Sequence, residues 1–351
     1  MFNLRPIPLG SMPEIEPVFI VGAARSGTTP LQLALNMHPG LGVYGETQAF
    51  FVRRRFGAEL NEVSFRRLLE YWRVVLSGCC PYSDLLDGPH IQERLRHASS
   101  FAQVLNVIMG ALAAREGKGR WGEKSPAHIF RLADIRATFP NARVIHIVRD
   151  PRAVVCSTIR AFRRGEFNDW NVYSAAKYWA RCIQVHTRQE SSQVKLYTLV
   201  RYEDLVTRPE ITLKSICSFL GLTFVEEMLN AHRVASDYIR PGRSGKMPDL
   251  HALTEKPLDA TRTDAWKGTL SAAQARLIEQ VAGKQMMALG YLPERKEYNP
   301  PKLIRVSRFS PRWTFLESRR ITTNQIRTPY WALRRVLDLG RNALKTPGIA
   351  P

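Results

Sequence analysis

Residues 19–29 read FIVGAARSGTT, and their spacing nearly matches the phosphate-binding loop G-x-x-x-x-G-K-[ST] of nucleotide enzymes. Gly22 and Gly27 stand at the required separation, but Thr28 occupies the lysine position. A strand that passes through a tight turn into a helix start aims several backbone N–H groups at one point. The helix dipole adds positive potential there, so an anion is expected. The amides of residues 25–29, Gly27 among them, and the hydroxyls of Ser26, Thr28 and Thr29 are the candidate donors. A loop lysine normally reaches β- and γ-phosphates while a Ser or Thr holds magnesium. Thr28 therefore argues against a triphosphate–magnesium substrate, and Arg25 returns one positive charge from a different point on the turn.

A second basic group stands at another strand end. Arg149 directly follows VIHIV, and Ser157 lies eight residues later on the ensuing helix. Both can face the crevice at the C-terminal edge of a parallel sheet, where ligands of open α/β sheets bind. Two separated anion sites suit a nucleotide that carries its reactive group on the 5′-phosphate and a second phosphate elsewhere. 3′-Phosphoadenosine-5′-phosphosulfate (PAPS) is such a nucleotide.

The elements that must position these residues follow from the apolar pattern. Residues 17–23 read as a buried strand, 28–37 as a helix ended by the HPG turn, and 60–115 as helical throughout. ARVIHIV at 142–148 is a second buried strand, and it runs into a helix with Asp150 as N-cap and Pro151 at the first position. A helix over about 172–190 and a strand over 194–200 complete the pattern. Strands alternating with helices predict an α/β fold, a mostly parallel central sheet with helices on both faces.

The 351 residues are 44% hydrophobic and 9% aromatic, an ordinary globular composition. The net charge is +20, and residues 295–351 hold 13 Lys and Arg against Glu297, Glu317 and Asp338. Half of the excess therefore lies in the tail, and the modestly basic body suits a polyanionic ligand. The predicted organisation is an N-terminal extension (1–16), one domain (17–301) and a basic, partly helical tail (302–351). The tail stretch YWALRRVLDLGRNALK reads as a helix packing its apolar stripe on its own domain. Contact with an anionic membrane surface, aided by the pair Tyr330–Trp331, is the alternative. Five scattered cysteines match neither a disulfide framework nor a metal site, no segment reaches membrane-spanning length, and no secretory signal is evident. A cytoplasmic protein with free thiols is expected, and one that uses no metal.

VGAARSGTT, GET, EKSP, IHIVRDPRAVVCS and VRYEDLVTRP, in that order, resemble the signatures of PAPS-dependent sulfotransferases. The branch most resembled holds tyrosylprotein and many bacterial sulfotransferases, and the similarity runs from about residue 17 to about 301. The resemblance implies a P-loop-like sulfotransferase fold, PAPS as co-substrate and a hydroxyl acceptor (carbohydrate, phenol, lipid or peptide). It places Arg25 to Thr29 on the 5′-phosphosulfate end, Arg149 and Ser157 on the 3′-phosphate, and Tyr202 against the nucleotide. It also makes Glu46 the catalytic base and Lys124 a contact to the transferring sulfuryl group.

In-line sulfuryl transfer needs a base for the acceptor hydroxyl and cations where charge develops on the bridging oxygen. Glu46 is the candidate base, and Lys124 or Arg25 near the leaving-group oxygen is the candidate cation. His128 in EKSPAHIF is a rival base, since other sulfotransferase branches use histidine. The tyrosylprotein branch follows its Glu-Thr with an arginine; here that position is Gln48, with Arg53, Arg54 and Arg55 nearby, which weakens protein tyrosine as acceptor. The competing functions are a P-loop-type kinase and a basic nucleic-acid- or membrane-binding module. No nucleic-acid-reading motif accompanies the charge, so nucleic acid is not an expected partner.

Overall fold

The computed structural model describes residues 16–56, 60–79, 84–163, 171–189, 194–234 and 256–294. The basic tail lies outside them, as do residues 238–255 of the segment YIRPGRSGKMPDLHALTEK (238–256), which together with residues 50–115 is expected from the sequence to shape the acceptor pocket.

Five parallel strands form one sheet in the order β2-β3-β1-β4-β5. They are β1 (Val18–Gly22), β2 (Leu41–Gly45), β3 (Arg120–Lys124), β4 (Arg143–Val148) and β5 (Tyr197–Arg201). Between β1 and β2 runs α1 (Thr28–Asn36), and between β2 and β3 run α2 (Ala49–Phe56), α3 (Glu62–Cys79), α4 (Pro89–Arg96) and α5 (Phe101–Arg115). A 3₁₀ segment, Pro126–Arg131, leads from β3 into α6 (Leu132–Thr138). Helices α7 (Pro151–Arg163) and α8 (Val172–Gln189) follow β4, then α9 (Tyr202–Thr207), α10 (Pro209–Leu220) and α11 (Ala272–Ala288) follow β5.

Alternation along β1 divides the core. Val18 and Ile20 pack with Ile145 and Ile147 under α1 and α10, while Phe19 and Val21 face α5, α8 and α11. Each such fully buried side chain stabilises the fold by about 1.5–3 kcal/mol, so both faces of the sheet are anchored. The α/β architecture expected from the sequence is therefore present. Two of its strands were not: LGVYG holds two glycines and RWGEK three charged residues, so neither shows a β-rich apolar run. The predicted helical block 60–115 is divided, with Pro89 opening α4 and a Ser100–Gln103 capping box opening α5. Asp150 does cap α7, accepting from the Arg152 amide at 2.8 Å. The strand expected at 194–200 begins with a 3₁₀ turn, Val194–Leu196, and pairs only from Tyr197.

Register brings the strand ends level. Gly45 faces Lys124, Gly22 faces Ile147 and Val148 faces Arg201. The direction of winding reverses at β1, which has β3 on one side and β4 on the other. The C-terminal edge there is the switch-point crevice where open α/β sheets bind ligands.

Candidate active site

The loop after β1 has a backbone that only its own residues allow. Gly22 has φ +148°, and a Cβ there would lie 2.4 Å from the Ile147 carbonyl oxygen. Gly27 has φ +97°, and its Cβ would lie 2.3 Å from the Tyr202 ring. Arg25 adopts φ +71° without being glycine, a strained turn of the kind found at functional sites. The first turn of α1 contains no acidic residue, so no carboxylate of that turn competes for its amides. One expected donor is redirected: the Ser26 amide bonds back to the Ala23 carbonyl at 3.2 Å. The Ser26 hydroxyl is fully buried and has no partner among the described residues. Thr28 is buried at the helix start and Thr29 is half-buried.

The end of β4 closes on this loop. Arg149 donates to the Arg262 carbonyl at 2.8 Å and reaches the Arg25 carbonyl at 3.5 Å, and its guanidinium carbon lies 4.2 Å from the Tyr202 ring centroid. Its Nε is buried without a partner among the described residues. Arg25 Nε donates to Ser157 Oγ at 3.1 Å, across 132 residues of chain. Arg25, Gly27, Arg149, Ser157 and Tyr202 thus converge. Burial holds the Tyr202 phenol above its usual range against the pull of Arg149 and Arg262, so it stays neutral. Trp179 Nε1 donates to the Arg149 carbonyl at 2.9 Å and fixes the backbone behind the guanidinium. Asp150 is occupied elsewhere, bracketing the buried Arg152 with Glu279 while Arg152 stacks on Trp266.

On the β3 side, Lys124 Nζ donates to Glu46 Oε1 at 2.6 Å. The lysine is nearly buried and the glutamate half exposed. Register explains the pairing, since Lys124 sits opposite Gly45 in the β2–β3 ladder. His128 lies on the core side. It is wholly buried, its Nε2 accepts from the Phe50 amide at 3.3 Å, and its Nδ1 faces Glu123 Oε2 at 2.9 Å. Glu123, which the motif reading passed over, is the centre of that arrangement. Burial alone would push its carboxyl up, but His128, Ser125 and Thr47 outweigh it and hold it below the usual carboxylate range. Strand alternation next to Lys124 is the signal that could have found it. Gln48 has φ +55°, is buried, and leaves its Oε1 without a partner among the described residues.

A sequence model described as the sulfotransferase family matches residues 17–227. The chain belongs to the sulfotransferase family. Its work is sulfuryl transfer. Protein-tyrosine sulfotransferase A of Caenorhabditis elegans is 26% identical over 293 residues, covering 81% of this chain and 68% of its own. Mouse carbohydrate sulfotransferase 5 is 26% identical over 171 residues, covering 43% and 42%. The sulfotransferase domain of the Synechococcus PCC 7002 olefin synthase superposes with a TM-score of 0.51 at 25% identity, covering 76% of this chain and 93% of that domain.

These relatives correct one expectation. Protein-tyrosine sulfotransferases, which match most of this chain, are Golgi membrane enzymes, so the cytoplasmic placement does not stand. Among the described residues no helix is long and apolar enough to cross a membrane. Cys156, Cys182 and Cys217 are buried free thiols, with Cys182 pushed up to about 12 by burial. Among the described residues none of these three pairs with another cysteine, and their free state does not specify a compartment.

Proposed function

We propose that this sulfotransferase moves the sulfuryl group of PAPS to an acceptor hydroxyl by in-line displacement, with Glu46 as general base. One observation carries the reading: two anion-type sites, joined by the Arg25–Ser157 bond, stand at the same sheet edge as the Lys124–Glu46 pair. The residues present fit a nucleotide with two phosphate ends. A buried Ser26 hydroxyl and an Arg149 Nε lack partners among the described residues, and Gly27 leaves no room for a side chain under the loop. When bound, PAPS supplies a sulfuryl group attached to a phosphate leaving group.

The chain's own residues then divide the work. The Thr28 and Thr29 amides at the start of α1, with Arg25, hold the 5′ end, and Arg149 and Ser157 hold the 3′-phosphate with Tyr202 alongside. Arg25 and Lys124 place positive charge where the leaving oxygen becomes negative, in a site drier than bulk water. Glu46 takes the acceptor's proton; its half-exposed carboxylate is reachable from solvent, as an acceptor requires. No step in this division calls for a metal ion.

A kinase reading asks for a magnesium-holding carboxylate at a strand end. Asp150 has that position, but both of its oxygens are committed to Arg152 and the α7 cap. The test is incubation with labelled PAPS and a panel of carbohydrate, phenol, lipid and peptide hydroxyls, read by mass spectrometry. Gain of a sulfuryl group with release of adenosine 3′,5′-bisphosphate supports the reading. Phosphoryl transfer from magnesium–ATP, with none from PAPS, overturns it.

A further inference from the structure

The stretch GEKSPAH, residues 122–128, does more than present Lys124. Along β3 neighbouring side chains point to opposite faces, so Lys124 reaches the cleft and Glu123 the core. From the cleft side Lys124 holds the Glu46 carboxylate. From the core side Glu123 holds the next residue: Thr47 donates to Glu123 Oε1 through its amide at 3.1 Å and its hydroxyl at 2.8 Å. The Ser125 hydroxyl donates to the same oxygen, and His128 Nδ1 lies at 2.9 Å from the other.

The segment that carries Glu46 into α2 is fastened amide by amide. After Thr47, the Gln48 amide donates to Ser125 Oγ at 3.3 Å and the Ala49 amide to Thr47 Oγ1 at 3.2 Å. The Phe50 amide donates to His128 Nε2 at 3.3 Å and the Phe51 amide to the Gln48 carbonyl at 3.0 Å. Three of these five acceptors are side chains of Glu123, Ser125 and His128. The fastening also accounts for Gln48, whose left-handed backbone persists only where its surroundings over-determine it.

The proton on His128 follows from donor logic. A backbone amide only donates, so Nε2 must accept from Phe50 and the ring proton must sit on Nδ1. Glu123 Oε2 accepts it and thereby fixes that tautomer, the service a carboxylate renders to many functional histidines. Phe50 meets the ring edge-on at 5.4 Å and Phe51 stacks on it at 5.6 Å, so its orientation is fixed as well.

We propose that Glu123, Ser125 and His128 are positioning residues that hold the Glu46 segment in register over the cleft, with Glu123 setting the His128 tautomer so that its Nε2 caps α2. The proposal rests on Glu46 being the base. It assigns to His128 a role through another residue and none at the reacting atoms.

Glu123→Gln tests it with little change of shape. An amide that keeps its oxygen on Thr47 turns its NH₂ toward Nδ1, which forces the ring proton onto Nε2 and opposes the Phe50 amide. The flipped amide restores His128 and loses Thr47. Either way, exchange of the Thr47 or Phe50 amide should speed up by about 10-fold or more. Turnover should fall by about 10- to 100-fold, because small misplacements of a reacting group are costly, while the affinity for adenosine 3′,5′-bisphosphate stays within about twofold. His128→Gln, whose amide oxygen reaches the Nε2 position, should keep more turnover than His128→Asn, which reaches only Nδ1. If Glu123→Gln does not fold, Ser125→Ala frees the Gln48 amide and one Glu123 contact and is read the same way.

Unchanged exchange over residues 47–51 overturns the proposal. So does faster exchange with unchanged turnover, or a loss of bisphosphate affinity equal to the loss of turnover. Glu46→Gln is measured alongside. If it retains turnover while Glu123→Gln loses protection at residues 47–51, the base assignment fails and the positioning network stands.

Discussion

Replacing Arg149 by alanine separates the two ends of the nucleotide. In the protein alone the guanidinium donates to the Arg262 carbonyl at 2.8 Å and lies 4.2 Å from the Tyr202 ring, while its contact with the Arg25 carbonyl is long, at 3.5 Å. Loss of one hydrogen bond and one cation–π contact should cost the fold about 1–2 kcal/mol, well short of unfolding it. The phosphate loop should therefore keep its shape, since its own turn is set by Gly22, Gly27 and the Ser26 amide. The ligand loses more. A charge-assisted contact to phosphate contributes about 1.5–3 kcal/mol, which is roughly a 10- to 150-fold rise in Kd. Calorimetry should show that rise for adenosine 3′,5′-bisphosphate and a change within about twofold for adenosine 5′-phosphate, which lacks the 3′ group. Arg149→Lys should fall between, because one ammonium cannot serve both the Arg262 carbonyl and a phosphate in the geometry of a planar fork. Equal losses for the two nucleotides would refute the assignment of Arg149 to the 3′ end.

Two further outcomes are expected. Gly27→Ala combines a left-handed backbone with a Cβ 2.3 Å from the Tyr202 ring, so urea denaturation should show a loss of about 2–4 kcal/mol. Adding Tyr202→Ala should relieve part of it, making the double variant more stable than the sum of the single losses predicts. His146, buried against Tyr197 and His186, has its pKa lowered from 6.5 to about 3 by burial and then by His186. A depressed histidine pKa means the unfolded chain binds the proton first, so stability is complete above about pH 6.5 and falls as pH drops toward 3. Between pH 6.5 and 5 the slope should approach about 1.4 kcal/mol per pH unit from this group, and His146→Leu should flatten it.

The sequence marked out the candidate site more completely than the sheet that carries it. Gly22, Gly27 and the hydroxyls after them are read from spacing because a phosphate loop is local: strand, turn and helix start are contiguous. Arg149 and Ser157 are local in the same way, at one strand-to-helix junction. The bond between Arg25 and Ser157 spans 132 residues, and no local pattern announces it. β2 and β3 escaped because their core residues Leu41, Val43, Tyr44 and Trp121 are interrupted by glycines and by charged residues, so neither strand shows a continuous apolar run. Lys124 and Glu123 are buried charged residues in a strand, tolerable only because Glu46 and His128 meet them. The place of His128 was not legible for the same reason: proximity in sequence to Lys124 says nothing about which face of the chain it occupies. The buried cap on Phe50 depends on tertiary packing.

The central claim is that Glu46 takes the acceptor's proton during sulfuryl transfer from PAPS. The most direct measurement compares single-turnover transfer from labelled PAPS by the wild-type protein and by Glu46→Gln, with bisphosphate affinity measured on both. Glutamine keeps the shape and a hydrogen-bonding oxygen for Lys124 but cannot accept the proton. Transfer should fall by about 10²–10⁴-fold with bisphosphate affinity unchanged, and less for an acidic phenol than for a sugar alcohol. A Glu46→Gln protein that transfers sulfuryl groups at near the wild-type rate would contradict the account.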